Sequence, residues 1–508
     1  MRKLALGAAV VAVAAAAVCF VGLGNVKNRE KVYLERSVDL ARIWNLAGEY
    51  YGYWDQLGGT AQWDAAYEKA VSELLECRTD FEYLALLEEF LSVLQDGRAG
   101  VLDGAGIGQF PADFRPEAVA LDWGTLPFGV EVVDGQFVVS QCMSGSEIPL
   151  YARITQLDGK EPLDYLEEEY GKRVGVQTAG GRIDMLASAL RFSEAGKKLR
   201  ISFETASGEE KTVSAAYKRE NVGAPVTETA ALQETGELAY DGEFFDVYER
   251  DGVSCVKFLE IDGQAVVQEF EEEALPLIME SAGCILDLRG CTSGDSAAAT
   301  GIFQHFSGEE LPPFIKSYML KSGLEMRIAR AVSHQLAGSE RYEGTELAKR
   351  GAAMNSGQYF YRIPRENDAF SESVRKVNEE ELGEIEGLYF GDSGAETSGD
   401  LVFQKPCAAL IGKKTAMGGE CMAAMAREAG VTLIGETTAG IFGDVVMEQL
   451  SNGWIVTVSS GNIYTPDGEA IWNRGIAPDV EHVISLEDYR AGRDTAMERA
   501  VEYLAEMP

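Results

Sequence analysis

One stretch, residues 405–440, limits the folds open to this chain more than any other. It begins with a short apolar run at residues 407–411, bounded by proline and glycine, which is typical of a buried central strand. A tight turn follows, and then an alanine-rich helix that we expect to end at Gly430. A second apolar run at residues 431–435 starts another strand. The pattern predicts a strand–turn–helix–strand unit of an α/β sheet, with its first turn at the edge where reacting groups collect.

Another apolar run, earlier in the chain at residues 284–288, is also typical of a buried strand and also ends in a turn that contains glycine. A helix is expected to follow it at residues 296–306. We therefore expect both apolar strands to lie in one sheet, with Gly290 and Met417 at the same edge.

Three motifs in these regions, taken in order, resemble those of the tail-specific proteases, also called carboxy-terminal processing peptidases. LDLRG…SGD is similar to the family's DLRxNxGG, and LIGKKTAMGGE…LIGETTAG is similar to TxSAxE…GExTxGK. GIAPDV, near the end of the chain, is similar to GIxPDI. The tricorn core and the retinoid-binding-protein repeats look related. The resemblance implies an α/β core domain with a ClpP- and crotonase-like mixed sheet, an N-terminal helical region and a PDZ-like β domain.

At the family's catalytic positions this chain has other residue types. The family's serine nucleophile lies three residues before the motif glutamate, which places Met417 there, because that glutamate is Glu420. The base is a lysine after the second TxG in many members and a histidine in a DGHT-like turn in others; the matching residues are Ile441 and Arg98. A thioether does not attack carbonyls, and neither isoleucine nor a charged arginine accepts a proton at neutral pH. We expect no peptide hydrolysis by the family mechanism.

Backbone donors are independent of side-chain type, so an oxyanion site can outlast the loss of the catalytic groups. The resemblance assigns such donors to Gly418, Gly290 and Gly294. A peptide-binding cleft without cleavage is therefore one hypothesis for this chain.

Other nucleophiles stay open as an alternative. Four hydroxyl or thiol groups lie in or near the two turns: Thr415, Ser293, Cys291 and Cys421. Each would need a base, and the adjacent lysines at positions 413 and 414 are poorly placed for one, since neighbouring residues seldom converge on one target.

Three functions remain open. The first is an extracytoplasmic pseudopeptidase that binds peptides or protein C-termini. The second is an active serine-type peptidase with an atypical nucleophile. The third is a carrier of a small apolar ligand, for which Met417, Ile441 and Phe442 would form the cleft.

Composition, periodicity and the family resemblance together divide the chain into segments. The predicted segments are a signal peptide or signal anchor at 1–28, an N-terminal helical region at 30–112, a PDZ-like domain at 113–220, a linker at 221–240, a tail-specific-protease core domain at 241–487 and a C-terminal helix at 488–508. Thr495 and Glu498 are expected to form the capping box of the last helix. Residues 453–459 and 462–466 are expected to pair as a final hairpin.

The PDZ-like prediction rests on a series of strands and turns, including a hairpin around Asp134 and Gly135. PDZ domains bind a peptide carboxyl terminus by strand addition, with loop amides holding the carboxylate. By resemblance, the peptide-binding candidates are Thr125, Phe128 and Gly129.

Charge and composition exclude some partners. The formal net charge is −37, which argues against nucleic acid, because binding it needs a basic surface. Residues 4–23 form an uninterrupted apolar run after two basic residues, long enough to span a bilayer. We expect this run to hold the protein at the cell membrane, or to direct its secretion, with the body outside the cytoplasm. Cysteines and histidines are scattered, so we expect buried free thiols, no metal site and no cofactor.

Overall fold

The structure, a computed structural model, describes the chain in several ranges. They are residues 30–102, 123–233, 236–259, 261, 263–292, 294, 296–308, 311, 315–318, 388–391, 402–443, 445–465 and 470–507. The predicted signal segment and Ser293 lie outside these ranges, as do residues 103–122 at the junction of the predicted helical and PDZ-like regions. Within the described ranges, no helix is both long and apolar enough to cross a membrane.

The first described part of the chain is helical. Its elements are α1 (30–50), α2 (Trp54–Leu57), α3 (Ala61–Glu73), α4 (Asp80–Ser92) and the short strand β1 (Gly100–Leu102). Helix α4 starts with a capping box, in which the Thr79 side chain accepts the Glu82 N–H and the Glu82 side chain accepts in return. Aromatic rings fill the core between the helices, and Trp63 stacks on Phe90 with ring centroids 4.0 Å apart.

A β domain follows. Its elements are β2 (Trp123–Thr125), β3 (Phe128–Val133), β4 (Gln136–Met143), β5 (Arg153–Leu157), α5 (Pro162–Tyr170), α6 (Ala179–Ala189), β6 (Phe192–Glu194), β7 (Lys198–Glu204), β8 (Glu210–Ala216) and β9 (Val226–Thr229). The sheet order is β3-β4-β5-β7-β8, so β3 lies at its edge, and α6 packs against it. The predicted hairpin is confirmed: Asp134 and Gly135 both have positive φ, as a two-residue type I′ turn between β3 and β4 requires.

The rest of the chain forms the core domain. Its elements are β10 (Glu237–Asp241), β11 (Phe245–Arg250), β12 (Val253–Phe258), α7 (Gly263–Glu269), α8 (Leu275–Glu280), β13 (Gly283–Asp287), α9 (Ser296–Gln304), β14 (Ile315–Tyr318), β15 (Leu388–Gly391), β16 (Cys407–Ile411), α10 (Gly418–Glu428), β17 (Thr432–Gly435), β18 (Val445–Gln449), β19 (Ile455–Ser459), β20 (Gly461–Tyr464), β21 (Val480–Glu481), α11 (Leu486–Arg490) and α12 (Thr495–Glu506). Seven strands make one mixed sheet in the order β10-β11-β12-β13-β16-β17-β21, and the run from β12 to β21 is parallel.

The two apolar strands predicted to share a sheet are neighbours in it. Strands β13 and β16 pair in parallel, with Asp287 opposite Leu410. The turns that follow them touch, because the Ala416 N–H donates to the Cys291 carbonyl at 3.0 Å. The expectation of a common edge for both turns is therefore confirmed.

Helices cover both faces of this sheet. Since strand side chains alternate between faces, Leu286 packs into the core shared with α7–α10, whereas Ile285 packs into a smaller core under α12. Both faces being buried explains why the parallel strands read as continuous apolar runs.

Four expectations need correction. Residues 100–102 are a strand that pairs with β19, and the stretch interpreted as a linker contains β9 and β10, each of which joins a sheet. The expected final hairpin is wrong, since β19 pairs with β18 and β1 while β20 pairs with β14. The cap of the last helix is Asp494 rather than Thr495: its carboxylate accepts the Met497 N–H at 3.0 Å.

Gly294, in the turn after β13, occupies a position that requires glycine. Its φ is +111°, and a Cβ atom there would lie 1.8 Å from the Ile261 carbonyl oxygen. We expect Gly294→Ala to lower the free energy of unfolding by about 2 kcal/mol or more, through clash and backbone strain, measured by thermal and urea unfolding. Gly290→Ala is the matched control, since no atom lies within 4 Å of a Cβ there. Equal stability of both variants would contradict this packing.

Candidate functional site

Met417 lies on a sharp turn between a strand and a helix. The turn joins β16 to α10, and Met417 is the N-cap residue of that helix, with φ 50° and ψ −115°. A non-glycine residue in this region of backbone space costs about 1–3 kcal/mol and persists only where surrounding contacts impose it. The geometry is of the kind that presents a nucleophile at the top of an α/β sheet. Residues 415–420 are called the elbow below.

Backbone hydrogen bonds hold the elbow in this conformation. The Met417 N–H donates to the Ile441 carbonyl at 2.9 Å, and the Met417 carbonyl accepts the Glu420 and Cys421 N–H groups at 3.0 and 3.1 Å. None of these bonds involves the Met417 side chain, which is half-buried. The conformation is thus set by the framework and is independent of the side chain at position 417.

Glu420 connects the elbow to the loop that follows β17. Its carboxyl is fully buried and accepts the Thr438 hydroxyl at 2.5 Å and the Gly440 N–H at 2.7 Å. The Thr438 oxygen also accepts the Ile476 N–H at 2.7 Å. Burial raises the pKa of Glu420 to about 8, although these hydrogen bonds oppose the rise. The second and third of the three family-like motifs therefore meet around one buried carboxyl group.

The two base positions converge beside the elbow. Ile441 is 2% exposed, and its side chain packs on Gly97, where a Cβ atom would lie 2.7 Å from Ile441 Cγ1. Arg98 follows in the same turn, and its N–H donates to the Asp96 carboxylate at 2.9 Å. Burial raises the pKa of Asp96. The structure thus places the turn of Gly97 and Arg98 and the residue Ile441 next to the elbow.

The oxyanion candidates fall into two groups. Gly418 is buried in the first turn of α10, directly after Met417, and the neighbouring glycine of that turn abuts the Cys291 carbonyl. Gly290 is exposed in the turn that faces it. Gly294 instead packs against Ile261. Gly418 and Gly290 therefore lie in adjoining turns at the end of the sheet that carries Met417, whereas Gly294 has a packing role.

The alternative nucleophiles in the described residues have structural positions. The Thr415 hydroxyl is buried, donates to the Leu288 carbonyl at 2.9 Å and accepts the Gly412 N–H at 3.0 Å. Cys291 and Cys421 are fully buried in the core beneath α10. Each of these groups would need a structural rearrangement before it could meet a substrate.

The peptide-binding candidates lie at the start of the β domain. The Thr125 N–H donates to the Lys218 carbonyl at 3.0 Å, and the next amide, of Leu126, donates to the Arg191 carbonyl at 3.0 Å. Phe128 and Gly129 belong to β3, where they pair with β4. Phe128 also shares an apolar core with Ile441, so this part of the domain packs next to the elbow.

Sequence reasoning missed two residues whose hydrogen bonds hold the segments around the elbow in place. The Asn473 side chain donates to the Gln95 carbonyl at 2.6 Å, and its N–H donates to the Gly440 carbonyl at 3.0 Å. The Tyr53 hydroxyl donates to the Phe442 carbonyl at 2.9 Å. Neither residue forms part of a recognisable motif, and their roles depend on contacts between segments far apart in the chain. In the part of the chain that the structure describes, no group of three or more His, Cys, Asp or Glu is placed to hold a metal ion.

Comparison with known families agrees with this geometry. Residues 257–482 match the family model described as Peptidase family S41. The core of this chain is a peptidase S41 domain. No curated protein matches the chain.

The solved structures of CPAF share the overall fold. Mature CPAF is 16% identical, with a TM-score of 0.66 over 94% of this chain and 96% of that chain. Mature CPAF complexed with lactacystin gives 17% identity and a TM-score of 0.65, over 94% and 97%. A photosystem II D1 C-terminal processing protease is 14% identical over 91% of this chain and 98% of that chain, with a TM-score of 0.40. At such identities the likeness to CPAF concerns the fold alone, and it extends beyond the S41 domain to most of the chain.

The buried carboxyl group of the S41 domain makes stability depend on pH. Its pKa of about 8 exceeds the ordinary glutamate value, so the folded state holds a proton that the unfolded state releases above about pH 4.5. The contribution of Glu420 to stability therefore falls as the pH rises from about 4.5 to 8, by on the order of 4 kcal/mol. Glu420→Gln keeps an accepting oxygen and removes this pH-dependent contribution to stability, because an amide does not titrate. We expect the Tm of the variant relative to wild type to rise over this interval, measured by calorimetry. A constant Tm difference from pH 5 to 8 would contradict the assignment.

Proposed function

We propose that this protein is an extracytoplasmic pseudopeptidase, which binds peptides or protein C-termini in an S41 cleft without cleaving them. The observation that carries the proposal is Met417 on an intact elbow. The turn keeps the strained backbone of a nucleophile position, while the side chain it presents cannot attack a carbonyl.

The missing chemistry supports a binding role. Acyl transfer needs a nucleophile, a base and oxyanion donors that act as a unit. Met417 removes the first, and Ile441 with Arg98 removes the second. The backbone donors around Gly418 and Gly290 do not depend on those side chains, so the part of the site that recognises a peptide carbonyl is retained.

We further infer that the β domain is a PDZ-like module and that the helices before it are the family's N-terminal helical region. Strand β3 lies at the edge of its sheet beside α6, which is the arrangement that accepts a peptide strand. The amides at Thr125 and Leu126 are already bonded, so we assign peptide contact to the edge of β3 next to α6 rather than to that loop.

The proposed location rests on residues 4–23, which lie outside the described ranges. We propose that they hold the protein at the membrane or export it, leaving the S41 domain outside the cytoplasm. A net charge of −37 supports a protein or peptide partner over nucleic acid.

The two other functions receive less support. For an active peptidase with an atypical nucleophile, Thr415, Cys291 and Cys421 would have to leave buried positions. For an apolar-ligand carrier, Ile441 and Phe442 would have to line one cavity, yet each packs into a different core.

The proposal predicts binding without turnover. A fluorescein-labelled peptide of about ten residues with a free carboxyl terminus should raise its anisotropy on adding wild-type protein, and mass spectrometry should find the peptide intact after a long incubation. Met417→Arg should weaken binding about tenfold or more, because a long charged side chain at the half-buried elbow blocks the cleft.

Met447→Arg is the matched control. Met447 is 54% exposed on β18, and the same change there should leave affinity within twofold. Cleavage of the peptide by wild-type protein, lost on substitution of Thr415, Cys421 or Ser293, would overturn the pseudopeptidase proposal and support the atypical peptidase.

A further inference from the structure

Three cysteines lie on three consecutive strands of the core sheet. Cys255 is in β12, Cys284 in β13 and Cys407 in β16. Cys284 and Cys407 are direct partners in the parallel pairing, whereas Cys255 stands opposite Ile285. The register therefore singles out one pair.

The two paired thiols also share a face of the sheet. Cys284 is part of the core beneath α7–α10, and Cys407 packs against the same core. Cys255 belongs to the core on the opposite face, under α12. Only the first two side chains thus project in the same direction from adjacent strands.

The separation suits a covalent bond. Neighbouring strands lie about 4.7–4.9 Å apart, within the range of about 4.4–6.8 Å that disulfides span between Cα atoms. The Cys284 thiol is within hydrogen-bonding reach of the Cys407 thiol, and burial together with that neighbour raises the pKa of Cys284. Both thiols are reduced in this structure.

Access differs between the two thiols. Cys284 is fully buried, while Cys407, the first residue of β16, is half-buried. A soluble oxidant therefore reaches Cys407 first, and Cys284 is positioned to resolve the product.

We propose that Cys284 and Cys407 form a disulfide when the protein meets a disulfide oxidant, so that the pair is a covalent modification site of the S41 domain. The Cys407 thiolate attacks one sulfur of oxidised glutathione and displaces a glutathione thiolate. Cys284 then loses its proton and attacks the Cys407 sulfur, which displaces the second glutathione. Two protein thiols are oxidised, and one glutathione disulfide is reduced to two thiols.

The bond would link strands separated by about 120 residues of chain. Loop closure of that length restricts the unfolded state strongly, so oxidation should stabilise the domain. The link lies at the amino-terminal ends of β13 and β16, opposite the elbow, and so fixes the two strands that carry the site without touching it.

The test uses the folded wild-type chain incubated with oxidised glutathione. Free thiols are then blocked, and tryptic peptides are analysed without reduction. We expect one cross-linked species that contains Cys284 and Cys407, two hydrogen masses lighter than the separate peptides. We also expect the Tm to rise by about 5 °C and to return on adding dithiothreitol.

Cys255→Ser is the matched control and should give the same cross-link and the same shift in Tm. Cys407→Ser should give neither. The proposal is overturned if folded wild-type protein gives no Cys284–Cys407 peptide, including the case in which Cys407 stops at the mixed disulfide with glutathione, or if Cys407→Ser shows the same reversible shift in Tm.

Discussion

The site depends above all on the buried Glu420 carboxyl group. It binds the Thr438 hydroxyl and the Gly440 N–H, and the loop held in this way presents the Ile441 carbonyl to the Met417 N–H. A fully buried carboxyl is tolerated because it stays protonated near neutral pH and because its hydrogen bonds satisfy one of its oxygens. The strain at Met417 is thus maintained by an interaction beneath it rather than by its own side chain.

Because the framework is separate from the side chain at position 417, this S41 domain can form the elbow with a methionine there. The framework residues are buried and bonded to several segments at once, so replacing one of them would disturb the whole core. The side chains at positions 417 and 441 make none of these hydrogen bonds. Met417 is half-buried at a turn, and Ile441 fills the space beside Gly97 with apolar packing, which stabilises the contact between the helical part of the chain and the core domain.

Much of this arrangement could be predicted from local sequence. The strands at 284–288 and 407–411, the helix after Met417 and the Asp134–Gly135 hairpin all follow from apolar runs and turn residues, and the structure confirms them. The failures concern partners that local patterns do not encode. Strands β19 and β20 are adjacent in the chain yet belong to different sheets, because β19 pairs with β18 and the distant β1, while β20 pairs with the distant β14.

The candidate site shows the same division. Motif order identified Met417, Ile441 and Arg98, and the structure brings their turns together. Motif order gave no indication of Asn473 or Tyr53. Their hydrogen bonds to Gln95 and Phe442 join segments that lie several hundred residues apart in the chain. The packing role of Gly294 could not be predicted from the sequence either. A glycine in a motif can serve as a backbone donor or can allow a close approach, here to Ile261, and the motif does not distinguish the two.

Labelling with a fluorophosphonate probe tests the central claim, that a peptidase elbow persists without its chemistry. Wild-type protein and the single variants Met417→Ser and Ile441→Lys should remain unlabelled, because a serine without a base stays protonated. The double variant Met417→Ser with Ile441→Lys, shown to be folded by its thermal transition, should become labelled at residue 417. A folded but unlabelled double variant would contradict the intact elbow, and labelling of wild-type protein would contradict the loss of catalysis.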